Sequence, residues 1–482
     1  MSEAMTSGVE LKLNYKRTLQ IGFAFFGILL LWQVYDSWCP TFLTDIVARR
    51  VYHMSSAQLK AEDAHKILNV QWIVGIIMAC DNLAALILLP IFGSLSDRTH
   101  TPIGKRMPFI LVGTFVSAFA FPFIPLFFHF NNVVGMIAMM AVVLIFTMMY
   151  RNPAVALMPD ITPKPLRAKA NGLINIMGYM GGAFATALGI FLKLSDYINV
   201  RDEGRRLLII EAPFVIASVL MILSALVLFF SIDENKLAEE LKEEMAIGEM
   251  MAAVENPVRD DAPMSEANRR MLLSILAAEF LWFMADNAIS TYIGNYVIYY
   301  LNAASSATMI MTIVGGASSI VGFATAGSIA DRIGRKWTVS CGLALSAFAI
   351  FISCFVRPTG NIVGLNGEFS FPAFFAVSWI IKGYGMALVH SCSFPMVVEL
   401  CPNSRIGQFT GYYYAASMSA QTITPVALGF VFRAARLWRA LPVYSTVLYT
   451  LSLIVFTLCV KNIRARKIRN LRGLEAIDDD PV

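Results

Sequence analysis

Twelve apolar runs, each about as long as a bilayer is thick, constrain this chain more than any other feature. A membrane-spanning helix needs about 20 mostly apolar residues, because the hydrocarbon core is about 30 Å thick and each residue rises 1.5 Å. Such runs lie near 18–44, 70–95, 108–129, 133–158, 168–194 and 207–231, then 271–301, 308–330, 337–357, 371–398, 406–432 and 440–460. Backbone groups in lipid must bond within their own segment, so each run predicts a helix. Composition agrees: 57% of the 482 residues are hydrophobic and only 15% charged, against roughly 45–50% and about 25% in soluble domains. The fold class expected is all-α, a polytopic membrane protein of twelve transmembrane helices.

Lys and Arg give the orientation. An even number of spans puts both termini on one side. That side carries Lys12, Lys16, Arg17, Arg98, Lys105, Arg106, Lys164, Arg167, Lys169, Arg332, Arg335 and Lys336, with Lys461, Arg464, Arg466, Lys467, Arg469 and Arg472 in the tail. The loops near 131, 304 and 357–370 are almost free of them. The positive-inside rule then makes both termini cytoplasmic in a cell membrane, although Arg205, Arg206, Arg433, Arg436 and Arg439 fall on the other side. The net charge of +5 reflects these edges and calls for no nucleic-acid partner. The first apolar run is too long for a signal-peptide core, so no cleaved leader is expected. The seven cysteines (Cys39, Cys80, Cys341, Cys354, Cys392, Cys401, Cys459) show no metal-type spacing.

Residues 232–268 divide the chain into an N-terminal bundle (1–231) and a C-terminal bundle with its tail (269–482). The divider is rich in Glu (Glu239, Glu240, Glu243, Glu244, Glu249) and broken by Pro257 and Pro263. Leu237, Leu241, Met245 and Ile247 predict a short amphipathic helix at the inner surface. The bundles repeat one another. Gly93-Ser-Leu-Ser-Asp97-Arg98, then Gly104-Lys105-Arg106, follows the second run; Gly327-Ser-Ile-Ala-Asp331-Arg332-Ile-Gly334-Arg335-Lys336 follows the eighth. Trp32-x-x-x-Asp36 is matched by Trp282-x-x-x-Asp286, and Arg151 through Asp160 by His390 through Glu399. Internal repetition of this kind builds a midplane site between two bundles.

The doubled G-x-x-x-D-R-x-G-R-K loop resembles that of the major facilitator superfamily, and the likeness spans nearly the whole chain. Two regions are similar to the glycoside–pentoside–hexuronide cation symporters and the sucrose–proton symporters. One is Pro90 through Phe109; the other runs from Pro153 to Asp160 and on through Arg167-Ala-Lys-Ala-Asn171-Gly172. The melibiose-type paired acids of the second helix are absent, since Leu89 and Ala85 stand there and the nearest acid is Asp81. The sucrose-carrier arginine corresponds to Val155, with Arg151 one turn away on the same face. The resemblance implies secondary active transport, and gating rather than substrate binding for the loop residues Gly93, Asp97, Arg98, Gly104, Lys105, Arg106, Asp160, Gly327, Asp331, Arg332, Gly334, Arg335, Lys336 and Glu399. Contacts of Asp97 and Asp331 with helix ends and arginines would latch the outward-open state.

Ionisable groups within the spans point to the transport site. Each costs about 2.5–3.5 kcal/mol at the bilayer centre and so faces a cavity or a partner. The candidates for substrate and proton coupling are Asp36, Asp81, Asn82, Arg151, Glu279, Asp286, Lys382 and His390. Desolvation favours the protonated form of a carboxylate, and a nearby Arg or Lys favours the charged form. A carrier that makes and breaks such a pair as it rocks takes up a proton on one side and releases it on the other. Asp36 or Asp81 is the expected acceptor and Arg151 its responsive partner. Tyr35, Trp72, Trp282, Tyr292, Tyr296, Trp379, Tyr384 and Tyr412 to Tyr414 offer faces on which a sugar stacks, and Asn82, Asn287, Asn295 and Gln421 offer hydroxyl partners. Gly178-x-x-x-Gly182 and Gly407-x-x-x-Gly411 allow close helix approach.

The reading is proton-coupled symport of a sugar or disaccharide-like glycoside by a functional monomer, with no cofactor and no metal. Proton-coupled export of drugs or metabolites is the alternative, and a non-transporting sensor or scaffold a further one. No G-x-x-x-x-G-K-[ST], G-x-S-x-G or H-E-x-x-H occurs, so neither ATP-driven pumping nor an enzyme is expected.

Overall fold

The computed structural model describes residues 11–62, 64–163, 166–192, 203–255, 266–303, 305–356, 362–363, 371–400 and 406–460. Lys164, Cys401, Pro257, Pro263 and the tail cations from Lys461 to Arg472 lie outside them, as do the side chains of Lys169, Asn171, Arg205, Glu399 and the backbone surroundings of Gly172 and Gly407.

Twelve long helices carry the fold among the described residues. They are α1 (Tyr15–Tyr52), α2 (Ala64–Arg98), α3 (Met107–Ala120, continued by Phe123–His129 beyond Pro122), α4 (Val133–Asp160), α5 (Arg167–Phe191) and α6 (Glu203–Ser231). The second set is α7 (Glu266–Asn295), α8 (Ser305–Ile333), α9 (Arg335–Ser353), α10 (Ala373–Glu399), α11 (Ile406–Ala435) and α12 (Ala440–Cys459). Eleven are long and apolar enough to cross a bilayer, and α10, with 27 residues, completes the set. A two-residue ladder, Ile362–Val363 with Phe371–Pro372, is the only strand pairing among the described residues. Local chemistry sets several boundaries. The Asn14 side chain accepts from the Arg17 N–H at the start of α1, and His53 ends that helix in the left-handed region at φ 57°. The Asn132 side chain likewise caps α4.

One apolar cluster, running from Ile21 to Leu241, fills the first six helices. A second, from Met271 to Val460, fills the last six and also takes in Ala48, Leu59, Ile67 and Leu68 from the first half. The halves meet along α2 with α11, α5 with α8, and α1 with α7.

These meetings concentrate at the end of the molecule away from the repeated loops. There the Asn295 amide donates to Thr44 Oγ1 (2.9 Å) and Gln71 Oε1 (3.1 Å), and its carbonyl accepts from Thr41 (3.2 Å). The Tyr292 hydroxyl reaches the Gln71 carbonyl at 3.2 Å and the Pro425 carbonyl at 2.6 Å. Glycine lets the backbones touch: a Cβ on Gly75 would lie 2.2 Å from the Pro425 carbonyl oxygen, and one on Gly429 2.5 Å from the Trp72 Cα. Trp72 also stacks on Phe430, with ring centroids 5.8 Å apart. Toward the loop end none of the hydrogen bonds between the halves given above recurs, and the same helices carry exposed apolar side chains. Ile87, Ile91 and Leu95 of α2, Ile176, Tyr179 and Met180 of α5, Ile320, Val321 and Phe323 of α8, and Tyr412 and Tyr414 of α11 are all exposed. The bundle is sealed at one end and splayed at the other.

The divider is structured where it leaves α6. Two short helices, Glu234–Glu240 and Lys242–Glu255, stand in place of the single predicted one. Leu241 is buried, and Leu237 and Met245 pack against the first half.

Candidate functional site

Between the halves lies a polar chamber of about 220 Å³. Helix α1 presents Leu29, Trp32, Asp36 and Pro40, spaced so that all share one face. Helix α2 adds Met78, Asp81, Asn82 and Ala85 by the same rule, and α4 adds Met148 and Arg151. The second half supplies neutral groups only: Asn287, Ser290 and Thr291 from α7 and Gln421 from α11. Among the described residues, every charge on the chamber wall therefore belongs to the first half.

Asp36, though deep in the protein, is open to the chamber, whereas Asp81 is buried at its wall. An Asp81 oxygen accepts from the Asn82 backbone N–H at 2.6 Å, and its charged neighbour is Asp36. Asn82 in turn reaches the Gln421 carbonyl of the other half at 3.4 Å. Arg151 has no ion pair among the described residues; Tyr150 and, across the chamber, Tyr414 are its electrostatic neighbours. Among the described residues, two wall atoms find no hydrogen-bond partner, the Trp32 indole N–H of the first half and the Asn287 carbonyl of the second. An unpaired buried polar atom costs about 1–3 kcal/mol, so a ligand that donates to one and accepts from the other would relieve both halves at once.

The remaining candidates sit elsewhere. Asp286, the repeat partner of Asp36, is ion-paired to Lys382 of α10 and accepts from the Tyr449 hydroxyl of α12 at 3.1 Å. His390 acts on the same carboxylate, with its ring 5.5 Å from that of Phe283. Lys382 also lies 5.7 Å from the Trp379 ring centre. None of these three lines the chamber; Asn287, one residue on, does. Glu279 is completely buried in the second half near Tyr413, with neither oxygen bonded among the described residues. Of the expected aromatic platforms, Tyr35, Trp282, Tyr292 and Tyr296 are packed in the cores, and the one aromatic on the chamber wall is Trp32. Asn295 belongs to the seal and is spent on Thr41, Thr44 and Gln71.

The first loop forms a network confined to one half. Arg106 is buried and pairs with Asp97, with Asp160 (2.9 Å) and with Ser96 Oγ (2.5 Å), while Lys105 meets Asp160 at 3.0 Å. Burial works against the Arg106 charge, but the bonds to Asp160 and Asp97 outweigh it and raise its pKa above the ordinary value. Glu234, which sequence reasoning missed, accepts from the backbone N–H groups of Arg106 (2.9 Å) and Met107 (3.3 Å), and so caps α3. Gly104 makes room for it at φ 109°, since a Cβ there would lie 2.2 Å from the carboxylate. Gly334 repeats the positive φ, at 87°, as the N-cap of α9. Arg98, Gly327, Asp331 and Arg332 are exposed at this end, Gly93 abuts Asn152, and Lys336 lies 5.4 Å from the Trp337 ring centre. Arg335 is half-buried near Cys392.

Two bundles of membrane helices, closed over a polar chamber at one end and parted at the other, define the class: a multi-pass carrier. The chain belongs to the major facilitator superfamily, whose family model matches residues 20–326 and 275–477; its members are secondary transporters and not enzymes. Solved structures agree on the fold. The inward-open xylose transporter XylE from E. coli superposes with a TM-score of 0.64 at 14% identity, covering 93% of this chain and 97% of that one. The nucleoside transporter NupG gives 0.62 at 11%, covering 92% and 100%. An inward-facing bacterial homologue of the lysosomal transporter Spinster gives 0.62 at 14%, covering 93% and 97%. No curated protein matches the chain.

Proposed function

We propose that the chain is a proton-coupled symporter of a sugar or small glycoside, working as a monomer with no cofactor. The halves 1–231 and 269–482 are the moving bodies and 232–268 joins them. Both termini and the repeated loops face the cytoplasm of a cell membrane, by the distribution of Lys and Arg, so the splayed end is the inward-open mouth. The observation that carries the reading is the convergence of Asp36, Asp81 and Arg151 on one chamber whose other wall is amides and hydroxyls.

The charges suggest the coupling. Two carboxylates and one guanidinium leave the chamber with one negative charge in excess, and one proton on Asp36 or Asp81 cancels it. A neutral chamber crosses the closed intermediate without the cost of a desolvated charge. Once the mouth opens inward, Arg151 favours the charged carboxylate and the proton leaves. Each proton gains about 2.3 kcal/mol per 100 mV of potential, equivalent to about fiftyfold accumulation of a neutral solute. A polyhydroxyl solute suits the wall, donating to Asn287 and Gln421 and accepting from Trp32 and Asn82. The loop residues gate and do not touch the solute.

Uptake of mono- and disaccharides into proteoliposomes, under separate proton and sodium gradients, tests the reading. Sugar-dependent proton influx, lost when Asn replaces both Asp36 and Asp81, is expected. Intact proton coupling in that double variant would refute the assignment. Substrate-dependent proton efflux would select export, and absence of any flux a sensor or scaffold.

A further inference from the structure

The two halves are built on one plan, yet among the described residues only the first presents an acid to the chamber. Trp32-x-x-x-Asp36 on α1 and Trp282-x-x-x-Asp286 on α7 occupy equivalent places in the repeat. Asp36 has no hydrogen-bond or ion-pair partner among the described residues and is open to the chamber. Asp286 keeps access to solvent as well, its side chain being 30% exposed, but it is bonded to Lys382. The repeat that pairs Arg151 with His390 places Val143 opposite Lys382, so the first half has no corresponding cation. A valine on α4 leaves Asp36 unpaired; a lysine on α10 occupies Asp286.

We propose that Asp286 is a second, silenced proton site, in which the Lys382 ammonium permanently takes the place that a transported proton takes at Asp36. The proposal rests on the proton-coupled reading above and fixes its stoichiometry at one proton per cycle. The groups facing Asp286 are Lys382 and His390 from α10 and the Tyr449 hydroxyl from α12. Lys382 is itself largely enclosed, with 16% of its side chain exposed, and is tethered over Trp379, so it stays with its acid. An acid whose charge is already cancelled by a fixed cation has no need of a proton to cross the closed intermediate. His390 is the one facing group besides Lys382 able to carry positive charge, and it does not reach Asp286 with a hydrogen bond among those described. Removing the lysine charge therefore leaves Asp286, like Asp36, a partly exposed acid without an ion-pair partner among the described residues, with the Tyr449 hydroxyl still donating to it.

The test is the ratio of charge to sugar moved by proteoliposomes, measured on the wild type, Lys382→Gln, Asp286→Asn and the double variant. The wild type moves one charge per sugar. Lys382→Gln raises the ratio toward two, and adding Asp286→Asn returns it to one. A Lys382→Gln protein that transports at an unchanged ratio overturns the proposal while leaving the proton-coupled reading intact. A wild type that moves sugar without charge overturns both, and shows it before any variant is compared. Should Lys382→Gln fold but not transport, infrared difference spectra of the purified protein across a pH titration give the second readout. A new protonated-carboxyl band in Lys382→Gln, absent from the double variant, supports the proposal, and no new band refutes it. Failure of both Lys382→Gln and Lys382→Met to fold would show the pair to be a structural lock, and would also overturn the idea.

Discussion

The two ends of this carrier are held by different chemistry. At the sealed end the halves join mainly through neutral groups: the Asn295 amide with Thr41, Thr44 and Gln71, the Tyr292 hydroxyl, and bare backbone contact at Gly75 and Gly429, with the Arg433 guanidinium 5.6 Å from the Trp72 ring centre as a cation–π contact and no ion pair across the seal among the described residues. At the open end the strong interactions are ionic, and those of the first loop stay within the first half, gathered on Arg106. Neutral hydrogen bonds contribute about 0.5–1.5 kcal/mol each. A handful of them makes a seal of a few kcal/mol, which is the scale of what one proton gains across the membrane. A seal of buried ion pairs would cost about 3–5 kcal/mol for each partner withdrawn, and would trap the carrier in one state. Parked within one half, the charges at the open end stay satisfied while the mouth is open and can be re-paired when it closes.

Substitutions should separate the two ends in a definite order. Gly75→Leu places a side chain where the Pro425 carbonyl already sits, so the seal cannot form. Transport should fall by about tenfold or more, equivalent to about 1.4 kcal/mol against the sealed state, while the protein still folds. Asn295→Ala removes one set of partners but leaves the backbone contact. A loss of about 1 kcal/mol of seal, read as about a fivefold drop in uptake, is expected. Glu234→Ala acts at the other end and inside one half. It should lower the melting temperature of purified protein, by an N-cap loss of about 0.5–2 kcal/mol, with little change in which end is closed. Asp97→Asn should matter least for stability, about 1 kcal/mol at most, because Asp97 is 59% exposed and Arg106 keeps Asp160. If Glu234→Ala shifted the open end as strongly as Gly75→Leu shifts the sealed one, the distinction between the ends would collapse.

Some of this was legible in the residues and some was not. Run length and charge counts located the helices, because lipid imposes both. Asp36, Asp81 and Arg151 stood out because a charge within a span demands a cavity or a partner, and the structure brings all three to one chamber. The same argument could not separate them from Asp286, Lys382 and His390, since pairing between α7 and α10 depends on packing and not on spacing. Helices also ran longer than predicted; α1 continues to Tyr52, with Ala48 buried in the core of the second half and Tyr52 packed against it, while Arg50 and Val51 stay exposed. The glycine pairs flagged by their spacing were a partial guide. Gly178 does sit against α1, where a Cβ would lie 2.7 Å from the Leu29 side chain, but one on Gly182 or Gly411 would meet nothing within 4 Å, and the close backbone contacts between helices of different halves fall at Gly75 and Gly429. Glu234 escaped notice because a carboxylate beside a divider looks like solvated charge until its target, the N-terminus of α3, is folded against it.

Distances between spin labels at each end test the central claim most directly. One pair sits at Leu95 of α2 and Tyr412 of α11, at the splayed end; the other at Val51 and Leu437, at the sealed end. All four side chains are exposed. As the medium passes from alkaline to acidic in the presence of a transported sugar, the first distance should shorten and the second lengthen in the same fraction of molecules. Two distances that rise together, or that both stay fixed while sugar is transported, would contradict a single chamber opened alternately from its two ends.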